Sequence, residues 1–233
     1  MKLALIGHGA MNRMVESLAR QDGHEISLVL TSNDASRSIA ELTALLAGHD
    51  AAIDFSIASA VLKNAKACAS AGIPLVEGTT GWKDHEQVRR IFEEKEGSLV
   101  YGANFSIGVN VFYRIVAYAA ELFQTSKGYE PFIEEAHHSR KKDAPSGTAL
   151  RLRDLVAERF ASGEVSVAST RAGHIPGTHR VGFDGPADQI VLSHEARSRE
   201  GFAAGALMAA AWIIGRRGVY EFSQVMDDIL KKG

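Results

Sequence analysis

The segment from Glu134 to Ala149 contains the densest group of side chains that could carry out acid–base chemistry. Two adjacent histidines, His137 and His138, precede three cations over 140–142. Histidine titrates near neutral pH and can therefore donate or accept a proton during a reaction. The cations would attract a carboxylate or a phosphate, in a chain whose formal net charge is only −2. This segment thus predicts a site that handles protons on an anionic ligand.

A helix is expected to begin directly after this cationic run. Ser146 is a suitable N-cap, and the backbone N–H groups of Gly147 and Thr148 would be left free for an anion. Because neighbouring residues of a strand point to opposite sides, His137 and His138 are expected to have different roles.

Each of these features has an ordinary structural explanation when it is taken alone. A single histidine is more often structural than catalytic, and a run of cations is usually a solvated face. We predict no metal site, because the two histidines lack the accompanying cysteines or the HExxH spacing of a zinc site. The occurrence of all these features in one segment favours a catalytic interpretation.

A glycine-containing turn follows the first strand-like run, Leu3 to Ile6, and reads Gly7-His8-Gly9-Ala10-Met11-Asn12. In a dinucleotide-binding turn the first glycine permits the tight bend, and the second lets the backbone approach a pyrophosphate at the helix N-terminus. Asn12 stands where the third glycine of that fingerprint would allow close packing. A tight turn without a ligand would look similar, but its place in a βαβ unit favours a nucleotide site.

The residue expected to contact the adenosine ribose of such a coenzyme is Thr31, at the end of the second predicted strand. No acid stands there, and hydroxyl and amide side chains would not repel a 2′-phosphate. Arg37 is near enough in sequence to pair with that phosphate, and is equally interpretable as a solvated helix residue. The coenzyme is therefore predicted to be NADPH or NADH. Two further turns, 78–81 and 102–105, follow later strands where open α/β sheets bind ligands, and could also be plain loops.

Strand-like and helical patterns alternate over the first hundred residues, which predicts an α/β fold with a Rossmann-like, doubly wound parallel sheet. Five strands are expected, over 3–6, 26–30, 51–55, 74–77 and 98–101, with helices over 11–20, 58–71 and 84–96. A smaller α+β domain follows, with helices over 108–123 and 147–160 and a strand over 132–136. The stretches 165–170, 179–183 and 189–194 have the character of antiparallel strands. Helices over 202–215 and 222–232 close the chain. The domain boundaries are predicted at 1–106, 107–199 and 200–233.

Composition restricts the class of protein. The chain has 233 residues, 45% of them hydrophobic and 23% charged, which is typical of a globular protein. Its charge balance gives no general attraction to nucleic acid or to a membrane surface, and no run of about 20 apolar residues is present. We therefore expect a soluble, cytoplasmic protein that binds neither nucleic acid nor membrane. The single cysteine, Cys68, is predicted to be an inert thiol in the core.

The stretch EEAHHSRKKDAPSGTA resembles the signature of the 4-hydroxy-tetrahydrodipicolinate reductase (dihydrodipicolinate reductase) family. The similarity extends along the chain through GHGAMNR, AIDFS, EGTTG, GANFSIGVN, RAGHIPGTH and SHEARSREGFAAGAL. The resemblance implies a dinucleotide-binding domain over 1–106, and a domain for substrate binding and oligomerisation over 107–199. It implies C-terminal helices over 200–233 that return to the first domain. A homotetramer that uses NADH or NADPH is also implied.

The resemblance assigns roles to individual residues. The catalytic pair would be His137 and Lys141, as proton donor or acceptor and second donor. Substrate contacts would come from His138, Gly147 and Thr148. Coenzyme contacts would come from Gly7, His8, Gly9, Ala10, Met11, Asn12, Thr31, Gly78, Thr79, Thr80, Gly102, Ala103, Asn104 and Phe105. Asn12 and Thr31 depart from the family pattern, the first with an expected effect on packing and the second leaving the choice of coenzyme open.

The implied reaction is the NAD(P)H-dependent reduction of a cyclic dicarboxylate imine, in lysine biosynthesis through diaminopimelate. It requires the nicotinamide, over the glycine edge of the sheet, to face His137 and Lys141 from the neighbouring domain. One alternative is another nicotinamide-dependent amino-acid oxidoreductase on the same fold. A second is a nucleotide-sensing module without catalysis, which would leave the histidines and the lysine without a role.

Overall fold

The computed structural model describes residues 1–126, 128–160 and 164–231. The chain divides into two compact units. The first unit contains Met1–Ile107 and Glu200–Gly233, and the second contains Gly108–Arg199.

The first unit is built on a six-stranded sheet in which every pair of neighbours is parallel. Its strands are β1 (Lys2–Ile6), β2 (Glu25–Leu30), β3 (Ala51–Asp54), β4 (Leu75–Glu77), β5 (Ser98–Tyr101) and β10 (Gly218–Glu221). The order β10-β5-β4-β3-β1-β2 reverses direction of winding between β1 and β3. In open sheets such a reversal creates a crevice at the carboxyl ends of the strands, where ligands bind. The predicted α/β fold with a doubly wound parallel sheet is therefore confirmed.

Six helices accompany this sheet: α1 (Ala10–Gln21), α2 (Ile39–Leu46), α3 (Val61–Ala71), α4 (His85–Glu94), α7 (Glu200–Ile213) and α8 (Phe222–Leu230). As expected, Cys68 is fully buried in α3, which ends at Gly72 in the left-handed conformation. Sequence patterns missed α2, although Ser38 and Glu41 form a capping box at its start. They also missed β10, a four-residue strand between the last two helices. The expected end of the last helix, Lys232, lies outside the described residues.

The second unit packs two helices, α5 (Ile107–Phe123) and α6 (Gly147–Ala157), with a four-stranded sheet. The strands are β6 (Glu130–His137), β7 (Ser166–Arg171), β8 (Thr178–Asp184) and β9 (Gln189–Glu195), in the order β7-β6-β8-β9. Strands β8 and β9 are antiparallel to their neighbours, as predicted.

The antiparallel prediction for 165–170 is wrong, because β7 runs parallel to β6. The physical reason lies in the connection between the two strands. Helix α6 stands between β6 and β7 in the chain, so the pair forms a βαβ crossover, which returns the chain in the same direction. Arg171 therefore lies at the same end of the sheet as His137, with which it is in register.

None of the helices in the described parts of the chain combines the length and apolar character needed to cross a bilayer.

Candidate active site

The residues predicted to bind the coenzyme all follow parallel strands of the first unit. Gly7 to Asn12 follow β1, Thr31 follows β2, Gly78 to Thr80 follow β4, and Gly102 to Phe105 follow β5. The carboxyl ends of these strands share one edge of the sheet. The topology thus brings together four segments that are far apart in sequence.

The turn after β1 is tight and leaves the backbone at the start of α1 uncovered. Gly7 has φ +88, and a Cβ there would lie 2.8 Å from the carbonyl oxygen of Phe55, so a larger residue would clash. Gly9 is the N-cap of α1, and nothing lies within 4 Å of the position of its Cβ. The backbone at the helix N-terminus is therefore open to an anion, which fits a dinucleotide.

Asn12 takes part in this turn beyond the packing role expected of it. Its side chain is fully buried, and its Nδ2 donates to the carbonyl oxygens of Ile6 at 2.7 Å and Gly7 at 2.8 Å. The amide thus ties the first turn of α1 to the end of β1. A glycine at this position would allow close packing but could not make these bonds.

In the loop after β2, the negative charge of Asp34 is balanced by Arg37. Asp34 accepts from the backbone N–H of Thr31 at 2.9 Å and from Nε of Arg37 at 2.7 Å. These contacts, with that of the Arg37 guanidinium the strongest, lower the pKa of Asp34. Lys63, which the sequence analysis did not single out, adds a second cation by donating to the carbonyl of Ala35 at 2.8 Å. Two cations, Arg37 and Lys63, therefore lie close to the loop that follows Thr31.

Phe55, in the loop after β3, contacts residues of the loops that follow β1, β4 and β5. A Cβ on Gly78 would lie 2.2 Å from the Phe55 ring, so only glycine permits this approach. The ring also meets Phe105 edge-to-face, with centroids 6.1 Å apart. Phe105 in turn packs against Phe222, and both lie close to the Cβ position of Gly102. Three separate predicted coenzyme segments are therefore fixed by aromatic packing that the sequence did not reveal.

Two buried acids lie at the same edge, and neither was predicted as a site residue. Asp54 ends β3 and Glu77 ends β4, and both are 0% exposed. Their register places them side by side. Each could have been recognised in the sequence as an acidic residue that ends an otherwise apolar strand.

In the second unit, Glu135 organises the predicted catalytic histidine. One carboxylate oxygen of Glu135 accepts a hydrogen bond from Nδ1 of His137. The other accepts from Nη2 of Arg171 at 2.6 Å and from the backbone N–H of Ser146 at 3.3 Å. Because Nδ1 is engaged by Glu135, Nε2 is the ring nitrogen of His137 that this carboxylate does not hold. Gly177 gives that atom room, because a Cβ there would lie 3.1 Å from it.

His179 is a second buried histidine beside the first. The two rings have centroids 5.1 Å apart, and Nε2 of His179 lies 3.1 Å from Oγ of Ser146. Ser146 caps α6 as predicted, accepting from the N–H of Ala149 at 3.2 Å. Glu135, Arg171 and His179 were all missed by the sequence analysis.

The remaining predicted residues lie on the loop after β6 and at the start of α6. Lys141 forms an ion pair with Asp143 at 2.9 Å, and its backbone N–H donates to the carbonyl of His138 at 3.0 Å. Gly147, at the first position of α6, has open space around its Cβ position, and Thr148 hydrogen bonds to Tyr113. All five predicted catalytic and substrate residues thus lie on β6, on the loop after it, or on the start of α6.

Electrostatics set the charge of each group. Burial alone would raise the pKa of Glu135, but hydrogen bonds from Arg171, Ser169 and His137 lower it to about 2, so the group is ionised. Burial lowers the pKa of His137, and the opposing effect of Glu135 does not outweigh it. Burial, with the nearby His137, lowers the pKa of His179 to about 4. Both histidines are therefore neutral at pH 7.

Ligand atoms of Glu135, His137 and His179 lie within 4.8 Å of one another, a spacing that could suit a metal ion. However, both Glu135 oxygens already accept hydrogen bonds, and the cations Arg171 and Lys141 act on the same group. A further cation would be repelled there. Arg171 fills the charge-balancing role that a metal would otherwise have, and the lack of a resident metal stays a prediction.

Two family profiles match the chain. The profile described as "Dihydrodipicolinate reductase, N-terminus" matches residues 1–105, and "Dihydrodipicolinate reductase, C-terminus" matches residues 108–226.

Individual relatives agree with these profiles. A "4-hydroxy-tetrahydrodipicolinate reductase" of Christiangramia forsetii is 33% identical over 243 residues, covering 99% of this chain and 100% of the relative. The protein of the same name from Archaeoglobus fulgidus is 32% identical over 264 residues, with coverage of 99% and 100%. The solved "Dipicolinate bound Dihydrodipicolinate reductase from Paenisporosarcina sp. TG-14" has a TM-score of 0.80 at 19% identity, covering 97% of this chain and 99% of that one. At this identity the solved structure supports a shared fold.

Proposed function

This chain belongs to the dihydrodipicolinate reductase family, and we propose on that premise that it is an NAD(P)H-dependent oxidoreductase of lysine biosynthesis through diaminopimelate. It would reduce (2S,4S)-4-hydroxy-2,3,4,5-tetrahydrodipicolinate to (S)-2,3,4,5-tetrahydrodipicolinate with loss of water. The observation that carries the proposal is the match of both family profiles, which together span nearly the whole chain. The geometry of His137 and its partners supports it.

The coenzyme is proposed to bind at the carboxyl edge of the first unit's sheet. The open backbone of Gly9 would hold the pyrophosphate, and the glycines after β4 and β5 would admit a flat ring. When bound, NADPH or NADH supplies the hydride. Arg37 and Lys63 near Thr31 favour acceptance of the 2′-phosphate, so we expect NADPH to be used at least as well as NADH.

The substrate is a cyclic imine that bears two carboxylates and a ring hydroxyl. Loss of that hydroxyl with a proton from the neighbouring carbon gives a C=C bond conjugated to the imine. Hydride then adds to the carbon that carried the hydroxyl, because the imine accepts the electron pair. Hydride addition leaves an anion delocalised over the ring nitrogen and the neighbouring carbon, and one proton delivered to that carbon restores the imine. The chain must therefore bind two carboxylates and deliver one proton.

His137 is proposed to deliver that proton from Nε2. Nδ1 is held by Glu135, so a proton that arrives on the ring occupies the free nitrogen. In the free enzyme the ring is neutral, since burial lowers its pKa. A bound dianion would favour the imidazolium, because an opposite charge nearby stabilises the protonated form. Substrate binding would thus favour protonation of His137, which then donates the proton.

Lys141 and the start of α6 are proposed to hold the carboxylates. The Lys141 side chain is already paired with Asp143, so a substrate carboxylate would replace or share that partner. The N–H groups at Gly147 and Thr148 lie at a capped helix N-terminus, which favours an anion. His138 is proposed as a further substrate contact.

The proposal extends to organisation and location. Residues 1–106 would bind the coenzyme, and the helices of 200–233 would return to that domain. Residues 107–199 would bind the substrate and form a homotetramer in the cytoplasm. Apolar residues exposed on the second unit support self-association. They are Ile190 and Val191 on the edge strand β9, and Ile115, Tyr118 and Leu122 on α5. Light scattering on the purified protein would test the tetramer.

A coupled assay tests the reaction. Dihydrodipicolinate synthase would generate the substrate in situ, and the loss of absorbance at the reduced-nicotinamide band would be followed with NADPH and NADH separately. The proposal predicts oxidation that depends on the synthase. Equal or faster turnover of free amino acids or their semialdehydes, with none of the synthase product, would favour a different amino-acid oxidoreductase. Coenzyme binding without any turnover would favour a sensing module.

A further inference from the structure

We infer that Asp54 and Glu77 share a single proton, and that this pair positions the loops after β3 and β4 for the coenzyme. Glu77 is thus a positioning residue that acts through Thr79. The inference rests on the proposed coenzyme site of the first unit, since Thr79 belongs to the segment assigned there.

Asp54 has the environment of a carboxylate. Its Oδ1 accepts from the backbone N–H of Ser56 at 2.8 Å and lies 3.4 Å from the Thr79 hydroxyl. Its Oδ2 accepts from Nδ2 of Asn64 at 2.8 Å. Three donors converge on one fully buried side chain, which stabilises its negative charge. These bonds fix the first residues of the loop after β3.

Glu77 has the environment of a neutral acid. Its Oε1 accepts from the backbone N–H of Thr79 at 2.7 Å. Its Oε2 is buried, and no donor among the described residues reaches it. A buried oxygen without a donor is costly for a carboxylate, whereas a protonated oxygen can itself donate. The acceptor within its reach is Asp54.

A shared proton satisfies both groups. Two buried carboxylates side by side cannot both ionise without a large cost, so one holds its proton. Burial first, and then the charge of Asp54, raise the pKa of Glu77 well above its ordinary value. The titratable group packed nearby on α3 is Cys68, whose thiol pKa is raised by burial and by both acids. This thiol therefore brings no compensating charge.

The pair links two coenzyme loops. The Ser56 N–H approaches both Asp54, at 2.8 Å, and the Thr79 hydroxyl, at 3.2 Å. The neighbouring Phe55 contacts the Cβ positions of Gly7 and Gly78. Loss of the shared proton would place two negative charges beneath these loops. Coenzyme affinity should therefore fall as pH rises through the pKa of the pair.

The test compares Glu77→Gln with Glu77→Leu. The amide of the first variant accepts from Thr79 and donates to Asp54 at every pH, so it replaces the protonated acid permanently. The second can do neither. The matched control is Glu93→Gln, which removes the same charge from an exposed position on α4.

Dissociation constants for NADH and NADPH would be measured by fluorescence titration from pH 6 to 9.5, with thermal melts to compare folding. At pH 6, Glu77→Gln should match the wild type and the control, while Glu77→Leu should bind about tenfold more weakly, the size expected for a lost buried hydrogen bond. As pH rises, wild-type affinity should fall below that of Glu77→Gln. This comparison removes the contributions of other titrating groups.

Several results would overturn the inference. Equal affinities for Glu77→Leu and Glu77→Gln at pH 6 would exclude positioning. Weak binding by Glu77→Gln at pH 6 would show that a charge is needed there. Identical pH profiles for wild type and Glu77→Gln would exclude the shared proton. If Glu77→Leu does not fold, the pH dependence of coenzyme affinity in Glu77→Gln, compared with the wild type, is sufficient to test the inference. Wild-type protein that binds neither coenzyme would instead refute the proposed function, on which this inference rests.

Discussion

Nη2 of Arg171 lies 2.6 Å from Oε1 of Glu135, and the other oxygen of that carboxylate accepts the Nδ1 hydrogen bond of His137. The arginine therefore fixes the carboxylate, and the carboxylate fixes the tautomer of the histidine. The Glu135 carboxylate is ionised, while the His137 ring is neutral in the free protein. This arrangement engages Nδ1 of His137 and leaves Nε2 as the nitrogen to which the proposed mechanism assigns the proton.

Substitution of Glu135 should impair proton delivery more than substrate binding. Glu135→Gln removes the negative charge that supports the imidazolium, so we expect kcat to fall by about 10- to 100-fold with little change in KM. The limb of the kcat/KM profile assigned to His137 should shift to lower pH. Glu134→Gln is the matched control, because its side chain is exposed on the same strand and pairs distantly with Arg180. Equal effects of the two variants would contradict the positioning role.

Substitution of His137 should remove the proton donor itself. His137→Gln should lower kcat by roughly 10²–10⁴-fold, the usual effect of a positioned acid, with little change in KM. In the wild type, kcat/KM should decline as pH rises through a value below 6.5, because the donor must be protonated and burial lowers its pKa. The corresponding limb of kcat should lie at higher pH, since the bound dianion favours the imidazolium. An unchanged kcat in the variant would exclude the assignment.

Lys141 should affect both binding and catalysis. Lys141→Ala removes a cation proposed to hold a substrate carboxylate, so KM should rise and kcat should fall, each by about tenfold or more. Lys142→Ala is the control, because it removes the same charge from the adjacent, exposed residue. Steady-state kinetics at saturating coenzyme would measure both. An unaltered KM for Lys141→Ala would exclude the carboxylate contact.

His179 should make the protein sensitive to acid. Its folded-state pKa is about 4, against an ordinary value of 6.5, so the unfolded chain binds more protons between these values. The contribution of His179 to the free energy of unfolding is complete above pH 6.5 and is lost as pH falls towards 4, by about 3 kcal/mol. In thermal melts, the melting temperature of His179→Gln should fall less than that of the wild type as pH is lowered from 6.5 to 4. His174 is exposed, so His174→Gln should show the same dependence of melting temperature on pH as the wild type. The same dependence in His179→Gln would contradict the prediction.

The sequence predicted the features that depend on local signals. The turn from Gly7 to Asn12 and the Ser146 cap are set by neighbouring residues, and both appear in the structure. The capping box of Ser38 and Glu41 was equally local, so α2 could have been predicted.

The partners of His137 depend on strand pairing, which local patterns do not encode. Arg171 reaches Glu135 because β7 is parallel to β6, and the sequence analysis assigned β7 the opposite character. In that arrangement Arg171 would lie at the far end of the strand. His179 faces Glu135 through the register of β6 with β8. Asp54 and Glu77 likewise meet only because β3 and β4 are neighbours in the sheet.

The most direct test of the proposed function follows the hydride. The coupled reaction would be run with NADPH that carries deuterium at both positions of the reactive nicotinamide carbon, and the product would be analysed by mass spectrometry and NMR. The account predicts one deuterium per product molecule, on the ring carbon that carried the hydroxyl. Coenzyme oxidation that leaves the tetrahydrodipicolinate product unlabelled, or labelled at another carbon, would contradict it.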